Sequence, residues 1–163
     1  VTLQIVAAIT ASAAVAVFLP PLLPRPAAAD AASRIVLVAP WLVLMGLPVL
    51  SAVASVANYR FFSATAITGA IDPADQDLAF RLRLLANASE QCLLALPAFA
   101  ALALMIPADR LNVPPVLACW HVVARVLFVA GYRRRPLQRA FGFAATFWTT
   151  VGVVAAVFWL VFV

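Results

Sequence analysis

The chain has 163 residues, is 66% hydrophobic and only 10% charged, and carries a formal net charge of +5. An ordinary soluble domain has about 25% charged residues, so this composition, with a mean hydropathy of +1.08, excludes a water-soluble fold and indicates an integral membrane protein. It also excludes nucleic-acid binding as the meaning of the positive charge, since no soluble basic domain exists to present it.

Apolar runs fall at about residues 2 to 23, 35 to 57, 79 to 106, 113 to 132 and 140 to 163. Each is near the ~20 residues that a helix needs to cross a bilayer. The runs are continuous instead of alternating at every second residue, and a spanning segment must satisfy its own backbone, so five helices are expected and strands are not. The first run, Ile5 to Leu19, is followed by the small-residue stretch Ala27-Ala28-Ala29-Asp30-Ala31-Ala32-Ser33, which is also how a secretion signal is built. No basic stretch precedes it, and it is expected to be a retained helix, ended by Pro20, Pro21, Pro24 and Pro26, which fix φ and remove donors.

The longest polar excursion runs from about Asn58 to Asp77. Within it, Asp72-Pro73-Ala74-Asp75 predicts an N-cap at Asp72 with proline at the first helical position of the third helix. Pro97 predicts a kink inside that helix. The fourth helix opens near Pro114-Pro115 and runs to Tyr132, before the basic turn Arg133-Arg134-Arg135-Pro136; Arg139 then starts the last helix. Trp41, Trp120, Trp148 and Trp159 read as lipid or interface anchors. Cys92 and Cys119 read as small apolar side chains, with a disulfide left open, and no spacing suggests a metal site.

All eleven basic residues are arginines. Arg25, Arg34 and Arg110 fall on one side of the membrane, and Arg60, Arg81, Arg83, Arg133, Arg134, Arg135 and Arg139 on the other. The positive-inside rule makes the second side cytoplasmic, which puts the N-terminus in the cytoplasm.

Two polar stripes interrupt the apolar runs. Arg83, Asn87 and Glu90, the single glutamate of the chain, are spaced i, i+4, i+7 on the third helix. His121, Arg125, Phe128 and Tyr132 are spaced i, i+4, i+7, i+11 on the fourth. At 1.5 Å per residue, Arg83, Asn87 and Glu90 lie about 6, 12 and 16 Å inside the third helix's end near residue 79, and Arg125 about 10 Å inside the Tyr132 end of the fourth, on the same side of the membrane. The stripes overlap in depth, so facing helices are expected to form one polar cavity open to the cytoplasm. Glu90 is the only acid in a span, against at least two arginines, so the occupant suited to it is a small anion with its own ammonium or amide groups, a description that lipid head groups also fit. A packing ion pair between Glu90 and Arg125 is the structural alternative, and His121 reads as a packing histidine.

Together the stripes resemble the MAPEG family, the membrane-associated proteins of eicosanoid and glutathione metabolism. The family pattern is Arg-x3-Asn-x2-Glu on one helix, here Arg83, Asn87 and Glu90. On the next comes Ala-Arg with an aromatic or histidine and then a tyrosine, a basic turn and another arginine, here Ala124-Arg125, Phe128, Gly131-Tyr132 and Arg139. The resemblance implies an all-α four-helix membrane bundle over residues 35 to 163, with residues 1 to 34 as an accessory transmembrane helix and loop on the outside. It further implies a homotrimer in the bacterial inner membrane that binds glutathione as cosubstrate between subunits, toward the cytoplasm. Arg83, Asn87, Glu90, Arg125 and Tyr132 are then the glutathione-binding residues, with Glu90 meeting the ammonium, and Arg139 is the catalytic arginine beside the thiolate. The implied activity is a glutathione transferase or peroxidase acting on lipophilic electrophiles. Phe128 and Gln91 depart from the family's usual tyrosine or histidine and tyrosine. A non-catalytic lipid-binding member, or a small transporter, are the alternative readings.

Overall fold

The computed structural model describes residues 1–24, 26–28, 30–69, 72–134 and 136–162. Arg25, Ala29 and Arg135, named in the loop and orientation arguments, lie outside these. Five long helices follow in order: α1 (Thr2–Phe18), α2 (Ala31–Phe62), α3 (Gln76–Met105), α4 (Val113–Arg134) and α5 (Ala140–Phe162). All five are long and apolar enough to cross a membrane, and the described residues contain no strand.

α2 is markedly longer than its apolar run suggested. α2 has 32 residues, or about 48 Å, against a hydrocarbon core of ~30 Å, so it extends into the interface. Its early start is set at Asp30, whose carboxylate accepts from the Ser33 amide at 2.7 Å while the Asp30 amide donates to the Ser33 hydroxyl at 3.3 Å. This reciprocal capping satisfies two donors that the first turn leaves free. The same bonds from Ser33 hold the exposed Asp30 carboxyl below its usual pKa.

The start of α3 differs from the reading at Asp72. Asp75 is the N-cap, its Oδ1 accepting from the Leu78 amide at 2.9 Å. Asp72 instead closes the preceding turn, accepting from the Ala74 amide at 2.8 Å. Asp75 prevails because it has a second partner: the Tyr59 hydroxyl donates to both its carboxylate oxygens at 2.9 and 3.0 Å. One carboxylate therefore caps α3 and ties it to the end of α2. Arg81 reinforces the tie, hydrogen-bonding Ser55 and lying 5.0 Å over the Tyr59 ring.

In a bilayer, helices associate through close packing and hydrogen bonds instead of hydrophobic burial. α2 packs on α3 and α4, α3 on α5, and α1 along α5 with a lesser contact to α4. Small side chains make the α1, α4, α5 junction possible, with Ala8, Ala124, Ala144 and Ala145 all buried there. A Cβ on Gly142 would overlap the backbone of Phe128 and Ala124, so α5 approaches α4 as closely as a glycine allows. Ser12 anchors α1 by accepting from Trp120 Nε1 at 3.0 Å and donating to the Ala8 carbonyl at 2.8 Å. Trp120 is thus a helix-joining residue and not a lipid anchor. A second core, around Met45, Phe99, Leu102 and Leu117, fills the opposite end of the bundle. There Arg34 donates to the Leu104 and Ile106 carbonyls at 2.9 and 2.7 Å, satisfying acceptors at the end of α3.

Candidate functional site

The arginine-rich end of the bundle holds a cavity of about 590 Å³, within the ~300–1,000 Å³ usual for small-molecule sites. α3 supplies Arg83 and Asn87, α4 supplies Phe128 and Tyr132, and the turn Pro136–Arg139 supplies Leu137 and Arg139. α5 contributes Phe143, Phe147 and Trp148. α1 contributes Ile5. One wall is cationic and the other aromatic.

The turn that carries Arg139 is placed by Gly131. A Cβ there would overlap the Gln138 carbonyl, so the chain folds back against α4 only because no side chain intervenes. Arg139 then lies with Cζ 4.5 Å from the centre of the Tyr132 ring. Phe80 and Phe128 flank that ring with centroids at 5.0 and 5.7 Å. An exposed guanidinium is in this way held over the cavity by an aromatic platform.

Arg125 is 2% exposed and reaches α3, donating from Nη1 to Asn87 Oδ1 at 2.8 Å. Its Cζ sits 4.4 Å from the centre of the Phe128 ring. Its Nε has no hydrogen-bond partner among the described residues. Arg125 therefore touches the cavity through Asn87 and does not line it; its own surface borders a smaller void of about 360 Å³ with Pro48, Ser51 and Ser55. One turn deeper, Gln91 and His121 are buried, and Gln91 Oε1 and His121 Nδ1 each lack a hydrogen-bond partner among the described residues. His121 packs edge-on to Phe99, with centroids 6.4 Å apart.

The structure thus brings Arg83, Asn87, Tyr132 and Arg139 to one cavity, with Arg125 behind it. Glu90 is not among them. It is exposed on the outer surface of α3 and outside the cavity lining, and no Glu90–Arg125 pair forms. Cys92 and Cys119 are both free thiols, one buried and one exposed. The described residues contain no group of His, Cys, Asp and Glu suited to a metal. The aromatic wall from α5 was not read from the sequence, although Phe143 and Phe147, four residues apart and stacked at 5.9 Å, carry the signal of a shared helix face.

The MAPEG family pattern matches residues 35–159, from the first turns of α2 into the last turn of α5. The chain belongs to the MAPEG family. No curated protein and no solved structure matches it. As in that family, the fold is an all-helical membrane bundle, and the chain is an integral multi-pass membrane protein. The MAPEG match begins after α1, and α1 contributes Ile5 to the lining of the cavity that holds Arg83 and Arg139.

Proposed function

We propose that the chain is a membrane-bound glutathione transferase or peroxidase acting on lipophilic electrophiles. The observation that carries this is Arg139 held over Tyr132 at the mouth of a cavity whose other cation is Arg83. Glutathione has two carboxylates, one ammonium and a thiol. Arg83 suits a carboxylate, the Asn87 amide keeps its N–H groups free while its oxygen is held by Arg125, and the Tyr132 hydroxyl offers a further donor.

Arg139 supports the chemistry. A thiol of pKa ~8.5 is mostly protonated at neutral pH, and a guanidinium beside the sulfur favours the nucleophilic thiolate. The sulfur forms a bond to the electrophilic carbon, and the leaving group departs with the electron pair of the bond that breaks. With a hydroperoxide as substrate, two thiols are oxidised to one disulfide while the O–O bond is reduced to an alcohol and water. The aromatic wall of Phe143, Phe147 and Trp148 suits the lipophilic partner, which arrives from the bilayer.

The ammonium has no acid in the cavity of one chain. We assign that role to Glu90 across an interface between copies, because Glu90 is exposed on α3 and an ionised carboxylate at membrane depth requires a partner. A homotrimer with shared sites follows from this reading and from family membership. Residues 1–34 then form an added unit outside the four-helix domain of residues 35–163, with the N-terminus and the site facing the cytoplasm of a bacterial inner membrane.

The test is turnover of a generic lipophilic electrophile with glutathione by the purified chain and by Arg139→Ala. Thiol-dependent turnover lost in the variant supports the proposal; no turnover across a broad electrophile panel sinks it. Lipid binding without chemistry is the second reading, favoured by Phe128, which puts an apolar ring where the family often has a hydroxyl or imidazole.

A further inference from the structure

A second cavity, of about 520 Å³, lies between α1 and α5 toward the other end of the bundle. It shares one lining residue with the arginine cavity, Trp148. From Trp148 to Leu160 its α5 wall extends about 18 Å at 1.5 Å per residue, more than half of a ~30 Å hydrocarbon core.

Its polar side chains are already engaged within the chain. Ser12 is bonded to Trp120 and the Ala8 carbonyl, and Thr149 donates to the Ala145 carbonyl at 2.6 Å. The exceptions are the Trp148 and Trp159 indoles and, at the rim, the charged Arg110 in the short turn Ala108–Arg110. Its guanidinium is exposed and has no hydrogen bond to the described residues. Asp109 is not part of the lining, and Arg34, the other described arginine at this end, is occupied by α3 carbonyls. An apolar trough with one cation at its mouth complements one acyl chain ending in one negative charge.

We propose that this cavity binds a long-chain carboxylic acid, with the carboxylate at Arg110 and the chain lying between α1 and α5 toward Trp148. The site is independent of the glutathione reading, since it uses none of the residues assigned to that peptide and is built in part by α1, which precedes the family-matched segment.

The experiment is quenching of tryptophan fluorescence in the full-length chain by a chain-brominated fatty acid, because Trp148 and Trp159 both line the cavity. The expected result is saturable quenching, weakened at least roughly tenfold by Arg110→Ala and by using the methyl ester of the same acid, as expected for loss of a charge-assisted hydrogen bond. Gly152→Leu is the second variant. Gly152 lines the trough and a Cβ there meets nothing within 4 Å, so a leucine side chain starts into the trough and is expected to abolish saturable quenching. Quenching that rises linearly with probe, that is equal for acid and ester, or that survives Gly152→Leu overturns the proposal. So does weakening by Arg139→Ala in place of Arg110→Ala, which puts the acid in the other cavity. A change of oligomeric state in Gly152→Leu also overturns it, because the trough is then a contact between copies.

Discussion

Asn87 on α3 and Arg125 on α4 are joined by a 2.8 Å hydrogen bond from guanidinium to amide oxygen. The bond lets a buried cation on one helix orient a neutral amide on the other. Asn87 then presents its N–H groups to the cavity. The arrangement also makes Arg125 a support for the site and not part of its surface.

Removing one partner leaves a buried charge short of an acceptor, and this costs more than replacing both. Asn87→Leu is expected to destabilise the bundle by about 1–3 kcal/mol, with Asn87→Leu/Arg125→Met recovering part of the loss. Unfolding of the four proteins in one detergent, treated as a double-mutant cycle, measures the coupling; additive losses contradict the account.

Gly131 controls the position of Arg139. Gly131→Ala is expected to push the Gln138 carbonyl away and shift the guanidinium off Tyr132. Since a displacement of about 1 Å can cost ~100-fold in rate, thiol-dependent turnover is expected to fall by roughly that factor. Circular dichroism and thermal unfolding keep the test specific, because global unfolding of the variant rules out a positioning role.

Gly142 differs in what it protects. Gly142→Val overlaps the α4 backbone at Ala124 and Phe128 and is expected to cost about 1–3 kcal/mol, the usual penalty of overpacking. Gly152→Ala, in the same helix but facing open space, is the control and is expected to leave the unfolding midpoint unchanged.

These glycines show where the sequence was readable and where it was not. The five helices follow from hydropathy and length, and the stripe through Arg125, Phe128 and Tyr132 follows from helical periodicity. Periodicity says nothing about how deep a face is buried, so Arg125 reads like Tyr132 although it lies behind Asn87. Glu90 shares its helix face with Arg83, but only the packing of α5 and α1 decides which part of that face closes into a cavity. The role of α1 was hidden because Ala8 and Ser12 are small residues that signal close approach without naming the partner helix. At Asp72 and Asp75 two adjacent capping signals competed, and Tyr59, distant in sequence, decided between them.

Glu90 is the sharpest test of a site shared between copies. Glu90→Gln is expected to leave the stability of a single chain unchanged, since the carboxylate is exposed, and to weaken glutathione binding by about 10- to 100-fold through loss of a charged hydrogen bond. Isothermal titration of the assembled protein reads the affinity. An unchanged dissociation constant removes Glu90 from the site.

The central claim is that Arg139 stabilises a thiolate in the cavity it shares with Arg83, Asn87 and Tyr132. Ultraviolet difference absorbance of glutathione titrated with the purified protein at neutral pH tests this most directly. A saturable thiolate band that is lost in Arg139→Ala is expected. Saturable glutathione binding with no thiolate band, or a band of equal size in Arg139→Ala, contradicts it.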